Sequence, residues 1–325
     1  MKIKNILGFF LLPSLLLTSC GETTGKNKNK PVIDKERKTV EYGIYPQTHV
    51  SDSLLISSLN KLTDAESNGW YLYNNEYYAK LTLPYEITFD DGTTIPKRIT
   101  CWFKCEPITW KILESKNGEY KLLSTVLLDV HCYYSSWEDR TIDGKTIYPN
   151  NYKYSDIRSW LNNEFYNTAF SLDNNYIQTT EVDNSASTTN YSDYYKEYIR
   201  LINDPDTTYN YKEELIDDFS EENTLTCENT NDKVYLLSYQ DYCNESYGFS
   251  SNTARQCKTT DYARANGAYS NTSSSYKNNG RYWTRSPFYL LGMDNKYKYA
   301  YPGNFSLNTS VSGKLPVQPA ITIKL

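Results

Sequence analysis

Three β-hairpin signals in the first half of the chain limit the possible folds more than any other feature of the sequence. Short clusters of Asn, Asp, Lys and Gly at residues 74–75, 90–92 and 116–118 each separate two runs rich in β-branched and aromatic residues. This is the pattern of a strand, a tight turn and a returning strand. Residues 99–113 read ITCWFKCEPITWKIL and predict a strand. We therefore expect sheet to dominate the first half.

Helical periodicity is clearest after Ser155. The apolar residues there recur at i, i+3, i+4, i+8 and i+12, which places them on one stripe that faces the core: Ile157, Trp160, Leu161, Phe165 and Ala169. A shorter helix is predicted within residues 51–62, with Ser51 or Ser53 as its cap. Another is predicted at residues 260–265, ended by Gly267.

Further strands are predicted at residues 41–49, 233–238, 281–284 and 317–325, so strands lie at both ends with helices between them. This order favours a single α+β domain at residues 39–325, with antiparallel strands, a few helices and long irregular loops, over a βαβ array. Residues 183–231 are acidic, rich in Asn, Thr and Tyr, and weakly periodic. We expect them to form an insertion, with a helix near residues 194–202 as one option.

The N-terminus predicts export. Lys2 and Lys4 precede an apolar run at residues 6–17, which is shorter than the roughly 20 residues of a spanning helix and is typical of a secretory signal. The run ends in Leu17-Thr18-Ser19-Cys20-Gly21, which resembles the bacterial lipobox. Residues 1–19 are then a lipoprotein signal peptide, and Cys20 carries the acyl chains that anchor the protein to the cell membrane, facing outward. An ordinary secretory signal, with Cys20 incidental, is the alternative.

Residues 20–38 predict a flexible, basic tether behind the lipid anchor, because the segment is polar and has no apolar periodicity. Residues 1–40 carry eight Lys/Arg against three acids, which leaves 26 bases and 36 acids on the remaining 285 residues. A body of that charge repels polyanions unless its bases cluster. Nucleic acid is therefore excluded as an expected partner.

Six cysteines remain after Cys20, an even number that permits up to three disulfides in an exported chain: Cys101, Cys105, Cys132, Cys227, Cys243 and Cys257. Four steps of a strand place Cys101 and Cys105 roughly 13 Å apart, too far for a mutual bridge. We expect at least one structural disulfide, and Cys243 to Cys257 closes the shortest loop. The cysteine spacings and the two isolated histidines do not predict a zinc site.

The ordered landmarks of the chain resemble those of a family of bacterial extracellular domains, the DUF6273 family, over about residues 40–325. They are YGIYPQ at 42–47, ITWKIL at 108–113, SDIRSWLN at 155–162, VYLLS at 234–238, TDYA at 260–263, WTRSP at 283–287 and GKLPVQPA at 313–320. That family is similar to the C-type-lectin-like fold of the formylglycine-generating sulfatase-modifying enzymes. The resemblance implies that the N- and C-terminal strands pair and that an irregular loop region presents a binding face.

Two features depart from the family pattern. Gln318 stands where family members usually have Arg before Pro319, and the stretch at residues 183–231 is longer than the resemblance implies. Calcium-dependent sugar binding is disfavoured, because Glu106-Pro107-Ile108 and Gln318-Pro319-Ala320 lack the third oxygen ligand of the lectin motifs. Oxidase chemistry of the formylglycine type is disfavoured as well, because the last cysteine, Cys257, lies far from the RSP segment. We expect no metal and no cofactor.

Catalytic patterns are weak throughout the sequence. No spacing among the 39 acidic residues singles out a glycosidase pair. A Ser-His-Asp site would need His49 or His131, and no GxSxG motif accompanies either. His131 is the only base near Cys132, but neighbouring residues on a strand point to opposite faces. A hydrolase of envelope polymers stays as the alternative, and a purely structural surface protein is a third option.

The preferred hypothesis is a non-catalytic module that binds a glycan or a protein. The C-terminal loop alternates Tyr with Asn and Ser, the composition of recognition loops, although Tyr is abundant throughout, at 33 residues. The candidate binding residues are Tyr282, Arg285, Tyr289, Tyr299, Tyr301 and Asn304. Trp283 is expected in the core. Arg285 is expected to brace the loop rather than touch a ligand, and Arg158 is a second candidate brace.

Overall fold

The computed structural model of the chain describes residues 30–136, 138–147, 149–184, 227–242, 244–251, 253–270, 277–286 and 311–325. The predicted signal peptide at residues 1–19 and the predicted lipidation site Cys20 lie outside the described residues. Most of the predicted insertion at residues 183–231, with its optional helix, lies outside them too. None of the described helices has the length and apolar character needed to cross a membrane.

Strands dominate the described part of the chain. The first nine are β1 (Val32–Asp34), β2 (Thr39–His49), β3 (Tyr71–Tyr73), β4 (Glu76–Thr82), β5 (Ile87–Thr88), β6 (Thr94–Ile95), β7 (Thr100–Lys116), β8 (Glu119–Ser124) and β9 (Val126–Leu127). The others are β10 (Asp129–Cys132), β11 (Arg140–Ile142), β12 (Lys145–Ile147), β13 (Thr180–Val182), β14 (Thr230–Asp232), β15 (Val234–Tyr235), β16 (Lys258–Thr259), β17 (Lys314–Val317) and β18 (Ala320–Lys324).

The helices are short. They are α1 (Ser53–Leu59), α2 (Asp156–Trp160), α3 (Tyr166–Ala169), α4 (Tyr239–Tyr242) and α5 (Asp261–Ala265), with a π-helical turn, Leu161–Phe165, between α2 and α3. Two 3₁₀ turns, Glu245–Tyr247 and Thr253–Arg255, follow α4. The predicted α+β class with mostly antiparallel strands is confirmed.

The main sheet is built around β7. Its antiparallel order is β1-β2-β7-β8-β18-β15, and β4, which carries β3, also pairs with β7. Phe103 pairs with both β2 and β4, and Trp110 pairs with both β2 and β8. Strands β4 and β8 therefore lie along one edge of β7, and β2 lies along the other. The strand predicted at residues 99–113 is confirmed and extends to 17 residues.

The terminal strands lie in the same sheet but do not pair with each other, contrary to the expectation from the resemblance. Strand β2 pairs with β1 and β7, whereas β18 pairs with β8 and β15. The strand predicted at residues 317–325 is also divided. Gln318 and Pro319 separate β17, which pairs with β10, from β18, because a proline cannot donate to a strand ladder. The strand predicted at residues 281–284 does not form a named strand.

The helical stretch after Ser155 is buried along the predicted stripe. Ser155 Oγ accepts a hydrogen bond from Arg158 N at 3.2 Å and so caps α2. Four of the five stripe residues are at most 1% exposed: Ile157, Leu161, Phe165 and Ala169. Trp160 is only half-buried, with its ring stacked on His131 at 5.0 Å between centroids.

A glycine lets this helical layer approach the sheet. Phe170, directly after α3, stacks on Trp110 of β7 with ring centroids 6.1 Å apart. Gly43 sits at a register shift of β2 with φ +69°, and a Cβ there would lie 2.6 Å from the Phe170 ring and 2.8 Å from the Ala169 carbonyl oxygen. Only glycine fits both the backbone angle and the space.

The three predicted hairpins are confirmed as β3–β4, β5–β6 and β7–β8. Their turns contain residues with positive φ, including Asn74, Asn75 and Asn117. The predicted cap of α1 is wrong by one residue. Asp52, between the two predicted serines, accepts hydrogen bonds from the backbone N–H groups of residues 54 and 55, because its carboxylate reaches both donors and carries a charge.

The described domain begins before the predicted boundary at residue 39. Val32–Asp34 form β1 and pair with residues 39–41 of β2. The last part of the predicted tether is therefore a hairpin arm, in which Val32 and Ile33 supply apolar residues to an otherwise polar stretch.

The disulfide prediction is wrong for the cysteines that can be checked. Cys101, Cys105, Cys132 and Cys257 carry free thiols, and Cys243 lies outside the described residues. Cys105, Cys257 and Cys101 are buried in three different apolar clusters, which keeps these thiols apart. Burial raises the pKa of Cys101 to about 11 and the pKa of Cys257 further, so these thiols are packed as small apolar side chains.

Candidate binding site

Tyr282, a predicted binding residue, is fully buried. Its ring lies 5.3 Å from that of Tyr242, and its hydroxyl donates to the Arg255 carbonyl oxygen at 2.9 Å. A side chain without exposed surface cannot supply contact area to a ligand. Tyr282 is therefore a core residue, and the prediction that it belongs to a binding face is wrong. The alternating Tyr/Asn pattern gives no information about burial.

Arg285 braces the chain, as expected. Its Nη1 donates to Asp241 Oδ2 and to the Leu236 carbonyl oxygen, both at 2.9 Å, and its Nη2 donates to the Asp183 carbonyl oxygen at 3.1 Å. The side chain is 7% exposed. Arg285 thus ties the start of the C-terminal segment to α4 and to Asp183, two residues before segment 185–226.

Asp241 is the acidic centre of this brace. Lys121 Nζ lies 3.0 Å from its Oδ1, and Ser238 N and Oγ both donate to its Oδ2. Burial alone would raise the pKa of Asp241, but the charges of Arg285 and Lys121 outweigh it and hold that pKa at about 2. Asp241 is therefore ionised at neutral pH, with a positive partner on each oxygen.

The other loop residues predicted to bind a ligand, Tyr289, Tyr299, Tyr301 and Asn304, lie outside the described residues. They stay predictions. Trp283, expected in the core, is fully buried and donates from Nε1 to the His131 carbonyl oxygen at 2.8 Å.

Gln318, where the resemblance implies an arginine, is a neutral structural link. Its Oε1 accepts from Tyr242 Oη at 2.8 Å, and its Nε2 donates to the Ser124 carbonyl oxygen at 2.8 Å. The side chain is buried with both polar atoms satisfied. It fixes the break between β17 and β18 and has no surface for a ligand.

Arg158 braces the neighbouring strand β14. Its Nε lies 2.8 Å and its Nη2 2.7 Å from Asp232 Oδ1, and its Nη1 donates to the Lys153 carbonyl oxygen at 2.9 Å. The Asp232 carboxylate is fully buried. Arg158 is therefore a brace, but it holds β14 and the Lys153 carbonyl group, not the region held by Arg285 where the prediction placed it.

The His131–Cys132 pair is closer than strand geometry implied, at 3.9 Å between Nδ1 and Sγ. His131 Nδ1 is, however, 2.6 Å from the Cys132 carbonyl oxygen. Burial, with Asp156 nearby, raises the pKa of the Cys132 thiol. The geometry does not favour the thiolate that nucleophilic catalysis needs.

The other histidine, His49, lies near an acid. His49 Nδ1 is 3.7 Å from Asp91 Oδ2, but the His49 side chain is 5% exposed and its ring stacks on Phe89 at 4.1 Å between centroids. A substrate has no access to an imidazole buried in this way.

The nearby buried Asp261 accepts hydrogen bonds from the backbone N–H groups of His49 and Asp90, both at 3.0 Å. These bonds join β2, the β5–β6 hairpin and α5.

Asp129 is a buried carboxyl group of the core. It accepts hydrogen bonds from Tyr45 Oη, from Asn266 Nδ2 at 2.6 Å and from Val130 N at 2.7 Å. Burial raises its pKa despite these bonds. Across the described ranges, no three His, Cys, Asp or Glu side chains gather in a way that could hold a metal ion.

Exposed aromatic surface lies elsewhere, on Tyr85 and Tyr269, which are 44% and 56% exposed. A Cβ built on Gly267 would lie 3.3 Å from Tyr85 Oη, so the Tyr85 hydroxyl packs close to a residue two positions before Tyr269. Arg281 Cζ lies 5.6 Å from the centroid of the Tyr269 ring. We call Tyr85 and Tyr269 the tyrosine face.

The sequence analysis did not single out either residue of the tyrosine face. Tyr85 follows the first hairpin and Tyr269 follows α5, and the two are far apart in sequence. Gly267 was predicted only as the end of a helix. Its φ of +114° and its closeness to Tyr85 are the features that bring the two loops together.

Comparison with known proteins gives one family. The family model described as a domain of unknown function, DUF6273, matches residues 117–202 and 191–325, so the resemblance is confirmed over residues 117–325. No curated protein and no solved structure matches the chain. Because the two overlapping matches cover well over half of its length, the chain belongs to the DUF6273 family.

Proposed function

We propose that the chain is a lipid-anchored bacterial surface protein whose folded domain binds an extracellular glycan or protein ligand without catalysis. The domain has a C-type-lectin-like fold in this proposal. Strands from both ends of the described domain share one antiparallel sheet, which supports that fold, although the terminal strands are not neighbours.

The tyrosine face is the observation that carries the binding function. Tyr85 and Tyr269 are two of the seven large apolar or aromatic side chains that are exposed among the described residues. Tyr85 is held against Gly267 and Tyr269 lies beside Arg281. Rings that are fixed in place lose little entropy on binding, and tyrosine supplies both contact area and a polar tip.

The surroundings of the titratable groups support binding over hydrolysis. Asp241, Asp232 and Asp261 each form an ion pair with an arginine that holds parts of the fold together, and the acid nearest a histidine faces a buried ring. A hydrolase cleft would instead show two carboxylates, or an acid and a histidine, open to a substrate. Tyr289, Tyr299, Tyr301 and Asn304 extend the proposed binding surface.

The anchor part of the proposal rests on residues 1–20 of the sequence. The short apolar run at residues 6–17 and the Cys20 motif direct export and acylation, and two or three acyl chains hold a protein durably on a membrane. The membrane is then a partner through lipid alone, and the domain faces outward.

Arrays of glycans and peptides, probed with the full-length chain in mild detergent, test the binding function. We expect at least one ligand to be retained, and the double variant Tyr85→Ala/Tyr269→Ala to bind it at least tenfold more weakly. Leu54→Ala, which removes an apolar side chain that is 79% exposed on α1, is the matched control and should bind normally. Release of cleaved fragments from a retained polymer would overturn the non-catalytic reading.

Mass spectrometry of the native protein tests the anchor. We expect a mature chain that begins at Cys20 and carries acyl chains, and we expect Cys20→Ala to leave the membrane fraction. An intact leader with an unmodified thiol would contradict this part of the proposal and leave the binding test unaffected.

A further inference from the structure

Arg140, the first residue of β11, has a guanidinium group that is held by two contacts, one on the flat face of the group and one at Nη1. Its Cζ lies 3.8 Å from the centroid of the Tyr134 ring, a cation–π contact. Its Nη1 donates to the Tyr154 carbonyl oxygen at 2.8 Å. The side chain therefore has one defined orientation.

The opposite edge of the same group has no acceptor. Arg140 Nε and Nη2 are both buried, and neither has a hydrogen-bond partner in the part of the chain that the structure describes. Arginine stays charged at all physiological pH values. Buried charged donors without acceptors are strongly unfavourable, so this edge needs an acceptor from outside the described contacts.

Arg158 shows what the same edge does elsewhere in this molecule. Its Nη1 also donates to a backbone carbonyl, that of Lys153, the residue directly before Tyr154. Its Nε and Nη2 both face a carboxylate oxygen of Asp232, at 2.8 and 2.7 Å. The two arginines thus hold successive carbonyl groups in the same way, and they differ in that Arg158 has an oxyanion on its Nε–Nη2 edge.

The local charge balance favours an anion at Arg140. Asp232 neutralises Arg158, and Glu228 forms an ion pair with Lys153. Arg140 forms no ion pair with any carboxylate among the described residues. Within the described ranges, the positive charge of Arg140 therefore has no ion-pair partner.

We propose that the Nε–Nη2 edge of Arg140 binds an oxyanion, a carboxylate or phosphate group carried by a molecule outside this chain. The two parallel N–H groups match the spacing of two oxygens on such a group, which is why arginine binds carboxylate and phosphate in a bidentate manner. The site is independent of the tyrosine face, so either assignment can fail without the other.

Thermal unfolding of the full-length chain tests the site. The transition is measured with increasing sodium phosphate and, separately, sodium acetate, each against sodium chloride at equal ionic strength and pH 7. We expect one of the two anions to raise Tm with the logarithmic concentration dependence of a single site, by about 3 °C at ten times its dissociation constant. The phosphate and acetate arms identify which group the site takes.

Two variants assign the effect. Arg140→Gln should abolish the anion-specific shift in Tm, whereas Arg98→Gln, which removes an exposed arginine, should keep it. If Arg140→Gln does not fold, the Nε resonance of Arg140 in the wild-type chain should move on titration with the active anion. A shift that persists in Arg140→Gln, a wild-type Tm that follows sodium chloride with both anions, or an unmoved Nε resonance would overturn the proposal.

Discussion

Arg285 Nη1 lies 2.9 Å from Asp241 Oδ2, and this ion pair fixes the chain where the C-terminal segment leaves the core. The same guanidinium reaches the Asp183 carbonyl oxygen. The two longest internal segments outside the described residues, 185–226 and 287–310, therefore begin near adjoining points of the body.

Removing the positive partner should destabilise the domain. Arg285→Met leaves Asp241 buried with Lys121 as its remaining positive partner, and we expect the free energy of unfolding to fall by about 3 kcal/mol. Denaturant titration measures the change. Arg98→Met, at an exposed position, should change it by less than about 0.5 kcal/mol, and equal effects of the two variants would contradict the bracing role.

Stability should fall in acid because of Asp241. Its pKa is about 2 in the folded protein, against 3.8 for the unperturbed group. A lowered pKa contributes stability above the unfolded value, and this contribution is lost as the pH falls from about 4 to about 2. The difference in Tm between the wild type and Asp241→Asn should therefore shrink across that range. A difference that stays constant with pH would count against the ionised pair.

Gly43→Ala should be much more disruptive than a glycine substitution at an open turn. A Cβ at Gly43 meets Phe170 and the Ala169 carbonyl oxygen, whereas nothing lies within 4 Å of one at Gly92, where φ is +85°. We expect Gly92→Ala to cost about 1 kcal/mol from backbone strain alone and Gly43→Ala to cost about 3 kcal/mol or more. Chemical denaturation of both variants measures the free energy of unfolding. Similar losses of stability in the two variants would disprove the expected order.

Tyr45→Phe should raise the pKa of Asp129. The Tyr45 hydroxyl donates to this carboxyl group and lowers its pKa, while burial raises it. Without the hydroxyl, burial acts with less opposition. Titration of the Asp129 carboxyl carbon by NMR measures the shift. Tyr71→Phe, at a tyrosine in a different cluster, should leave that pKa unchanged, and a lowered value in Tyr45→Phe would contradict the assignment.

The free thiols predict a distinct alkylation pattern. Without reductant, the buried thiols of Cys101, Cys105 and Cys257 should resist iodoacetamide in the folded protein and react fully in guanidinium chloride. Peptide mass spectrometry reads the labels residue by residue. Recovery of a peptide that joins Cys257 to Cys243 would restore the disulfide expected from the sequence and overturn the free state.

Local patterns carried much of the fold. The turn residues Asn74, Asn75 and Asn117, the long strand around Trp110 and the apolar stripe after Ser155 were all predicted, because each depends on neighbours within a few residues. The cap at Asp52, the division of the last strand at Pro319 and the separation of the terminal strands were missed. Each of these depends on which segment a strand or helix meets.

The candidate site was less accessible from the sequence. The sequence favours a bracing role over ligand contact for Arg285, but it does not identify the partner, Asp241. Tyr282 was placed on a surface because composition alone does not report burial. The Tyr85 hydroxyl lies close to Gly267, two positions before Tyr269, a contact that no local pattern encodes.

The sequence by itself determined the alternation of strands and turns, the helical stripe, the family and the expectation of export, since these depend on residue type and spacing along the chain. Only the tertiary structure decided which charges are neutralised, which tyrosines are exposed and which arginine edge lacks an acceptor. Those properties arise from groups distant in sequence that folding brings within a few ångströms, where burial and the nearest charge set the energy of each group.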